Sequence, residues 1–256
     1  MLKVSDSAGN DGPTSSHTYT LDTTAPTNTV ASVHFSNDTG TSATDFITRT
    51  ASQTVSGTLS SNLLSGETVY VSLNGGNTWT AATATVGQST WSLAGVTLTS
   101  SSTVRVKVSD TAGNDGSVLA QAYIYDTTAP TITVSGIGFS ADSGAAGDFI
   151  TNTASQTISA TLSASLAAGD ILYGSLDGGA TWTDISNQVS NKALSWTGVT
   201  LSGSNILQLK VVDAAGNQGT VKNQAYILDA SMPAAPSAPV LDLSLIHISE
   251  PTRRRG

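Results

Sequence analysis

Sixteen of the 18 acidic residues in this 256-residue chain are aspartates; only Glu67 and Glu250 are glutamates. Aspartate is a compact oxygen ligand and also a turn-capping residue, so its placement decides its role. The aspartates fall at matched positions: Asp22 with Asp126, Asp38 with Asp142, Asp45 with Asp148, and Asp110 with Asp213. Carboxylates brought together repel one another and lose hydration unless a cation compensates. A hard cation held by six to eight oxygens suits such a group. The chain has no cysteine, and its three histidines (His17, His34 and His247) do not recur at matched positions, which disfavours zinc. Mg²⁺ prefers a stricter octahedron with retained waters, which leaves Ca²⁺ as the better match, in the weak extracellular affinity class. The competing role is local: each aspartate caps its own turn as an Asx motif. The run D-x-A-G-N, at Asp6–Asn10, Asp110–Asn114 and Asp213–Asn217, lacks the twelve-residue pattern of an EF-hand loop.

Other chemistry finds little support. No nucleophile elbow, P-loop or dinucleotide fingerprint is present. Without a recurring histidine, a triad or general base is not expected. Paired aspartates would suit a glycosidase, but pairs that repeat along the chain fit a structural role better than one active site. A non-catalytic protein is therefore expected. Trp79, Trp91, Trp182 and Trp196 either pack in a β-sheet core or line a sugar-binding face. The first is expected because each lies in an alternating strand, and carbohydrate binding is the alternative function.

The elements that must position these residues are set by a repeat. DTTAPT occurs at Asp22–Thr27 and Asp126–Thr131, with a degenerate copy from Asp229. Asn74-Gly75-Gly76 matches Asp177-Gly178-Gly179, Trp79 matches Trp182, and Tyr123 matches Tyr226, each after 103 or 104 residues. Such a period fits an array of whole domains rather than a solenoid of short units. The chain divides into the tail of one repeat (1–21), two full repeats (22–125 and 126–228) and a linker opening a further one (229–242). Both ends read as cut from a longer array, so the lack of a visible signal peptide says little about export. No apolar run is long enough to span a membrane.

Within the second full repeat, strands are expected at Thr131–Phe139, Gln156–Leu162, Leu172–Leu176, Thr181–Ile185, Ala193–Leu201, Ile206–Val212 and Asn223–Leu228. Asp177-Gly178 is a strong hairpin signal. Leu207, Leu209 and Val211 should point inward, with Gln208 and Lys210 outward; Val104, Val106 and Val108 do the same in the first repeat. Seven short strands with a turn every 8–12 residues predict an all-β fold, a rod of tandem Ig-like sandwiches. In such a sandwich the loops after the first, third and fifth strands face the following domain. Those after the second, fourth and sixth face the preceding one. Asp38, Asp45, Asp126, Asp170, Asp213 and Asn217 are then expected to converge at the central junction. Asp22, Glu67, Asp110 and Asn114 belong to the first junction, and Asp142, Asp148 and Asp229 to the last.

Four strings carry a family resemblance: V-x-D-x-A-G-N-x-G (Val4–Gly12, Val108–Gly116, Val211–Gly219), DTTAPT, D-[TS]-G-x(3–4)-D-F-I-T (Asp38–Thr48, Asp142–Thr151), and SL-[ND]-GG-x-TW (Ser72–Trp79, Ser175–Trp182). In combination, over residues 1–242, they resemble the bacterial Ig-like repeats of giant type I-secreted adhesins, the biofilm-associated proteins among them. The resemblance implies extracellular stalk domains at the cell surface that contact neighbouring repeats of the same chain. It also implies calcium near the junctions, on the aspartates named above, and adhesion to host or biofilm surfaces through other regions. Asp229-Ala230-Ser231-Met232-Pro233 departs from DTTAP, which puts the ligand set of the last junction in doubt. The string Leu243–Arg253 (LSLIHISEPTR) resembles a translated sequencing-library adapter, and residues 243–256 are set apart as a disordered artefact. Without them 17 acids face 7 bases, a net charge of −10 instead of −8, and the basic cluster Arg253–Arg255 no longer suggests nucleic-acid or membrane binding.

Overall fold

The computed structural model describes residues 1–237, so the adapter-like string and the terminal arginines lie outside the described residues. The first sandwich comprises β1 (Val30–Phe35), β2 (Ile47–Thr48), β3 (Ser52–Leu59), β4 (Thr68–Ser72), β5 (Thr80–Ala81), β6 (Thr83–Ala84), β7 (Thr90–Thr97), β8 (Ser102–Ser109) and β9 (Leu119–Tyr125). One sheet runs β1-β3-β7-β6 and the facing sheet β2-β9-β8-β4-β5. The second sandwich repeats this plan with β10 (Val134–Phe139), β11 (Ile150–Thr151), β12 (Ser155–Leu162), β13 (Ile171–Ser175), β14 (Thr183–Asp184), β15 (Val189–Ser190), β16 (Ala193–Thr200), β17 (Asn205–Val212) and β18 (Lys222–Leu228). Its sheets run β10-β12-β16-β15 and β11-β18-β17-β13-β14. Two packed, mainly antiparallel sheets of this order, repeated twice, define a tandem Ig-like β-sandwich.

Alternation in the sequence becomes burial in the fold. Val104, Val106 and Val108 on β8 are fully buried, as are Leu207 and Leu209 on β17 with Val211 close behind. The two cores are separate apolar clusters, one closed around Val55, Val69 and Trp91, the other around Ile158, Leu172 and Trp196. Tyr123 and Tyr226 are buried with their hydroxyls donating to the carbonyls of Leu73 and Leu176, both at 2.8 Å. Each ties its last strand to the loop after β4 or β13.

Three features of the sandwich differ from the seven-strand expectation. The first strand divides in two: β1 pairs with β3, then β2 crosses to the other sheet and runs parallel to β9. The two halves are joined by a loop in which Phe46 takes a left-handed φ of 62°; Phe149 takes φ 61° in the second sandwich. Left-handed backbone is costly for an aromatic residue and persists only where its surroundings enforce it. Here the ring packs edge-on against Phe35 at 5.2 Å, and Phe149 against Phe139 at the same distance. The strand expected at Thr131–Phe139 starts only at Val134, and Thr181–Ile185 shrinks to Thr183–Asp184. A 3₁₀ turn at Ser186–Gln188 and the short β15 follow it. Ahead of the first sandwich, isolated bridges join Leu2 to Ser15 and Ser5 to Asp11, flanking the turn at Asp6–Asn10.

Candidate metal centre at the repeat junctions

Each sandwich carries an aspartate-anchored loop after its first strand. A buried glutamine organises it: Gln53 accepts from the Asn37 N–H and donates to the Asn37 and Thr50 carbonyls, and Gln156 does the same for Ala141 and Thr153. One carboxylate oxygen of Asp38 accepts the Phe46 N–H at 2.9 Å; that of Asp142 accepts the Gly147 N–H at 2.6 Å. The other oxygen, Oδ1 in both residues, is buried with no hydrogen-bond partner. A buried acceptor left unmade is expensive, and a native structure keeps few of them. Burial pushes the Asp38 carboxyl above the usual aspartate range, and the neighbouring charge of Asp45 adds to the rise. Asp45 and Asp148 cap the next turn, accepting from the Ile47 and Ile150 N–H groups at 3.0 and 2.9 Å.

The opposite pole is built from the D-x-A-G-N turns. Asp213 accepts both the backbone N–H of Asn217 (2.8 Å) and its side-chain amide (2.9 Å), and Asp110 holds Asn114 in the same way. These bonds, the Asn114 side chain foremost, hold the Asp110 carboxyl below the ordinary range. The same amide reaches across to the linker: Asn217 donates to the Asp126 carbonyl at 2.9 Å and Asn114 to the Asp22 carbonyl at 3.1 Å. The linker aspartates cap their own turns, Asp22 accepting from Thr24, Asp126 from Thr128 and Asp229 from Ser231. Asp170 accepts the Ala167 N–H, and Glu67 accepts the Leu64 N–H and the Asn28 amide.

At the central junction the two poles touch. The Thr39 hydroxyl donates to the Ala215 carbonyl at 2.8 Å, and Arg49 donates to the Gly216 carbonyl at 2.7 Å. The loop after β1 therefore faces the following sandwich, against the turn between β17 and β18. The loops meet, but their carboxylates remain apart. Among the described residues no three acidic or histidine side chains are gathered closely enough to hold a metal ion. The physical reason is that most of the expected ligands, including Asp126, Asp170 and Asp213, spend at least one oxygen on their own turn. At the first junction Asp22, Glu67 and Asp110 do line one recess of about 390 Å³, together with Gly66 and Thr111.

For a hard cation the donor set fits in part. Asp38 Oδ1 and Asp142 Oδ1 are oxygens left over by the folding of their loops, and they recur in both repeats. Completing a calcium shell around either would draw on Asp45 or Asp148 and on backbone carbonyls, the donor types that calcium accepts. Residues missed in the sequence are Thr39, Gly40 and Arg49, which make the junction contact, and Gln53 and Gln156. The D-[TS]-G string signalled Thr39 and Gly40, and the string ASQT, shared by both repeats at Ala51–Thr54 and Ala154–Thr157, signalled the glutamines.

The tryptophans split into two pairs. Trp91 and Trp196 are core residues, 3% and 7% exposed. Trp79 and Trp182 are half-buried on the outer face, each with a lysine ammonium over its ring, Lys107 at 4.5 Å and Lys210 at 3.9 Å. One face of each ring is thus covered by the chain's own cation. Lys107 also pairs with Asp115 at 2.5 Å; in the second sandwich neutral Gln218 takes that place, and burial lowers the Lys210 pKa.

Paired sandwiches of this order, with acidic turns at both poles, place the chain among tandem Ig-like repeats. The bacterial Ig-like domain family model matches residues 50–127 and 131–230, and the chain belongs to that family. Members are typically surface-exposed or extracellular and generally non-catalytic. No curated protein matches the chain. Among the described residues no helix is long and apolar enough to cross a membrane.

Proposed function

We propose that the chain is a stretch of stalk from a large bacterial surface or secreted adhesin of the type I-secreted, biofilm-associated kind, its repeats stiffened by calcium at their junctions. Its partners are neighbouring repeats of the same chain, and the adhesive surface is contacted elsewhere in the protein. The observation that carries the calcium reading is the recurrence of a buried, unpartnered aspartate oxygen, Asp38 Oδ1 and Asp142 Oδ1, on the loop at each sandwich's leading pole. An orphaned carboxylate oxygen is a liability for stability alone and an asset for binding a hard cation. Asp38 with Asp45, and Asp142 with Asp148, would hold the ion, with Asp126, Asp213 and Asn217 bordering the central site. When bound, the ion would neutralise charge that otherwise repels across the junction.

Calorimetric titration of the chain with Ca²⁺, followed by melting and X-ray scattering in calcium and in EDTA, tests this. Saturating calcium at a hundredfold excess over Kd stabilises the binding-competent fold by about 2.7 kcal/mol. For a domain of this size that raises its Tm by about 4–8 °C per kcal/mol. Chelation is expected to reverse the rise and to shorten the scattering envelope as the junction loosens. Identical melts and profiles in the two conditions would remove calcium from the account.

A further inference from the structure

We propose that the D-[TS]-G loop is a latch that docks the D-x-A-G-N turn of the next repeat by direct backbone contact, so that the junction closes without a cation. The inference rests on the stalk reading for its biological sense, but its geometry stands apart from calcium. At the central junction Gly40 has φ +108°, and a Cβ built there would lie 1.9 Å from the Ala214 carbonyl oxygen. Gly216 approaches from the other side, where a Cβ would sit 3.1 Å from the Gly40 Cα. Glycine at both positions lets two backbones meet where any side chain would hold them apart.

The polar part of the latch is preset by the loop itself. The Thr39 hydroxyl accepts the Arg49 N–H at 2.9 Å, which leaves its single proton free to point outward to the Ala215 carbonyl. Arg49 adds a charged donor to the next carbonyl, Gly216. Two adjacent carbonyls of an Ala-Gly turn are therefore read by two donors from one loop. The second sandwich carries the same preset: the Ser143 hydroxyl accepts the Asn152 N–H at 2.8 Å beside Gly144, whose φ is +86°. Its expected occupant is another D-x-A-G-N turn, bound without the arginine, since Asn152 stands where the first sandwich has Arg49. The second residue of the turn, Ala214 here and Thr111 in the first sandwich, packs on a glycine of its own domain, Gly169 or Gly66.

The chain has no cysteine, so spin labels can be placed at will. With labels at Ser100→Cys and Ser204→Cys, both exposed, electron-spin distance measurements on the full chain in EDTA report the spread of junction geometries. Gly40→Val is expected to widen the distance distribution at least twofold, with a fall in the first sandwich's melting temperature no larger than Gly144→Val causes in the second. Gly144→Val is the matched control, because it has similar left-handed backbone strain and no atom within 4 Å of its Cβ, and it should leave the width unchanged. Thr39→Val with Arg49→Ala, which removes the two donors without strain, should widen the distribution as well. A parent-like width in Gly40→Val and in the double variant overturns the latch, as does equal broadening by Gly144→Val. Repeating the set in calcium separates the two ideas. A distribution that calcium narrows in every variant supports the ion. One that only the latch residues control supports direct docking, and the stalk reading then stands without the ion.

Discussion

At the level of the single residue, Asp38 is where the two roles of aspartate in this protein can be told apart. Its Oδ2 caps the Phe46 turn, and its Oδ1 is buried and unpaired. Burial, with the Asp45 charge behind it, raises its pKa in the folded state. An aspartate whose folded pKa exceeds its unfolded value adds stability at pH below that unfolded value, and the contribution is lost as pH rises through the folded pKa. At neutral pH without a cation, the ionised form therefore strains the loop. Asp38→Asn keeps an acceptor for the Phe46 N–H and removes the charge. Melting in EDTA at pH 7 should show it at least as stable as the parent, and added calcium should give the first sandwich no further rise. An equal loss of stability in both conditions would reduce Asp38 to a turn cap. Asp177 has the opposite sign. Hydrogen bonds from the Thr181 side chain and backbone, and from Ser175, pull its pKa down to about 2. Its support of the hairpin after β13 is thus present above the unfolded value and lost as pH falls through about 2. The acidic positions themselves were plain in the sequence. Which oxygen each would have left over was not, because that depends on the N–H groups a folded turn presents.

At the level of the strand, apolar alternation told nearly everything about β8 and β17, where burial follows every second residue. It was silent on β2 and β11, two-residue strands too short to carry a period. It was also silent on where each repeat makes room for its core tryptophan. Trp91 on β7 lies against Gly57 of β3, where a Cβ would approach its ring to 2.7 Å and the Ser32 carbonyl to 1.9 Å. In the second sandwich the matching pair is Ala160 and Leu194. Trp196 stands two residues further along, at the position of Leu93 and paired with Ile158, where Gly174 on β13 leaves room: its Cβ would lie 2.5 Å from the ring. The first repeat has Val71 at the position of Gly174. The tryptophan has moved two residues along its strand, and the glycine that makes room for it lies in the other sheet, so exchanging single residues between repeats is not conservative. Gly174→Val, although it copies the first repeat, should overpack Trp196 and lower stability by about 1–3 kcal/mol in denaturant unfolding. Pairing it with Trp196→Leu should recover part of the loss; a neutral Gly174→Val would mean the core is looser than its contacts imply.

At the level of the whole molecule, the repeat was the most legible feature, since recurring strings at a 103–104-residue spacing leave few alternatives to tandem domains. That the loops at the poles would face one another also followed from strand order. What the sequence could not reveal is that they would touch through glycines and carbonyls rather than through carboxylates, because close backbone approach has no side-chain signature beyond the glycine itself. The separate apolar clusters imply that each sandwich unfolds on its own account. Leu209→Ala, at a fully buried position of the second core, should cost about 2–5 kcal/mol. Scanning calorimetry is expected to show one transition moved downward and the other left in place. A single transition shifting as a unit would show that the junction couples the two sandwiches more strongly than their cores suggest.

The split first strand has a mechanical consequence. β2 runs parallel to β9, the strand by which the chain leaves the sandwich, and the Phe46 and Thr48 carbonyls accept from the Ile124 and Asp126 N–H groups at 2.8 and 3.0 Å. The second sandwich has the same pair of bonds, from Ile227 to Phe149 and from Asp229 to Thr151, both at 2.9 Å. A pull on the two ends of a sandwich draws these parallel strands in opposite directions along their length. The bonds between them are then loaded in shear and must give way together, whereas a hairpin pulled from its open end unzips one bond at a time. Under tension each of the two sandwiches would resist through the same four-residue seam.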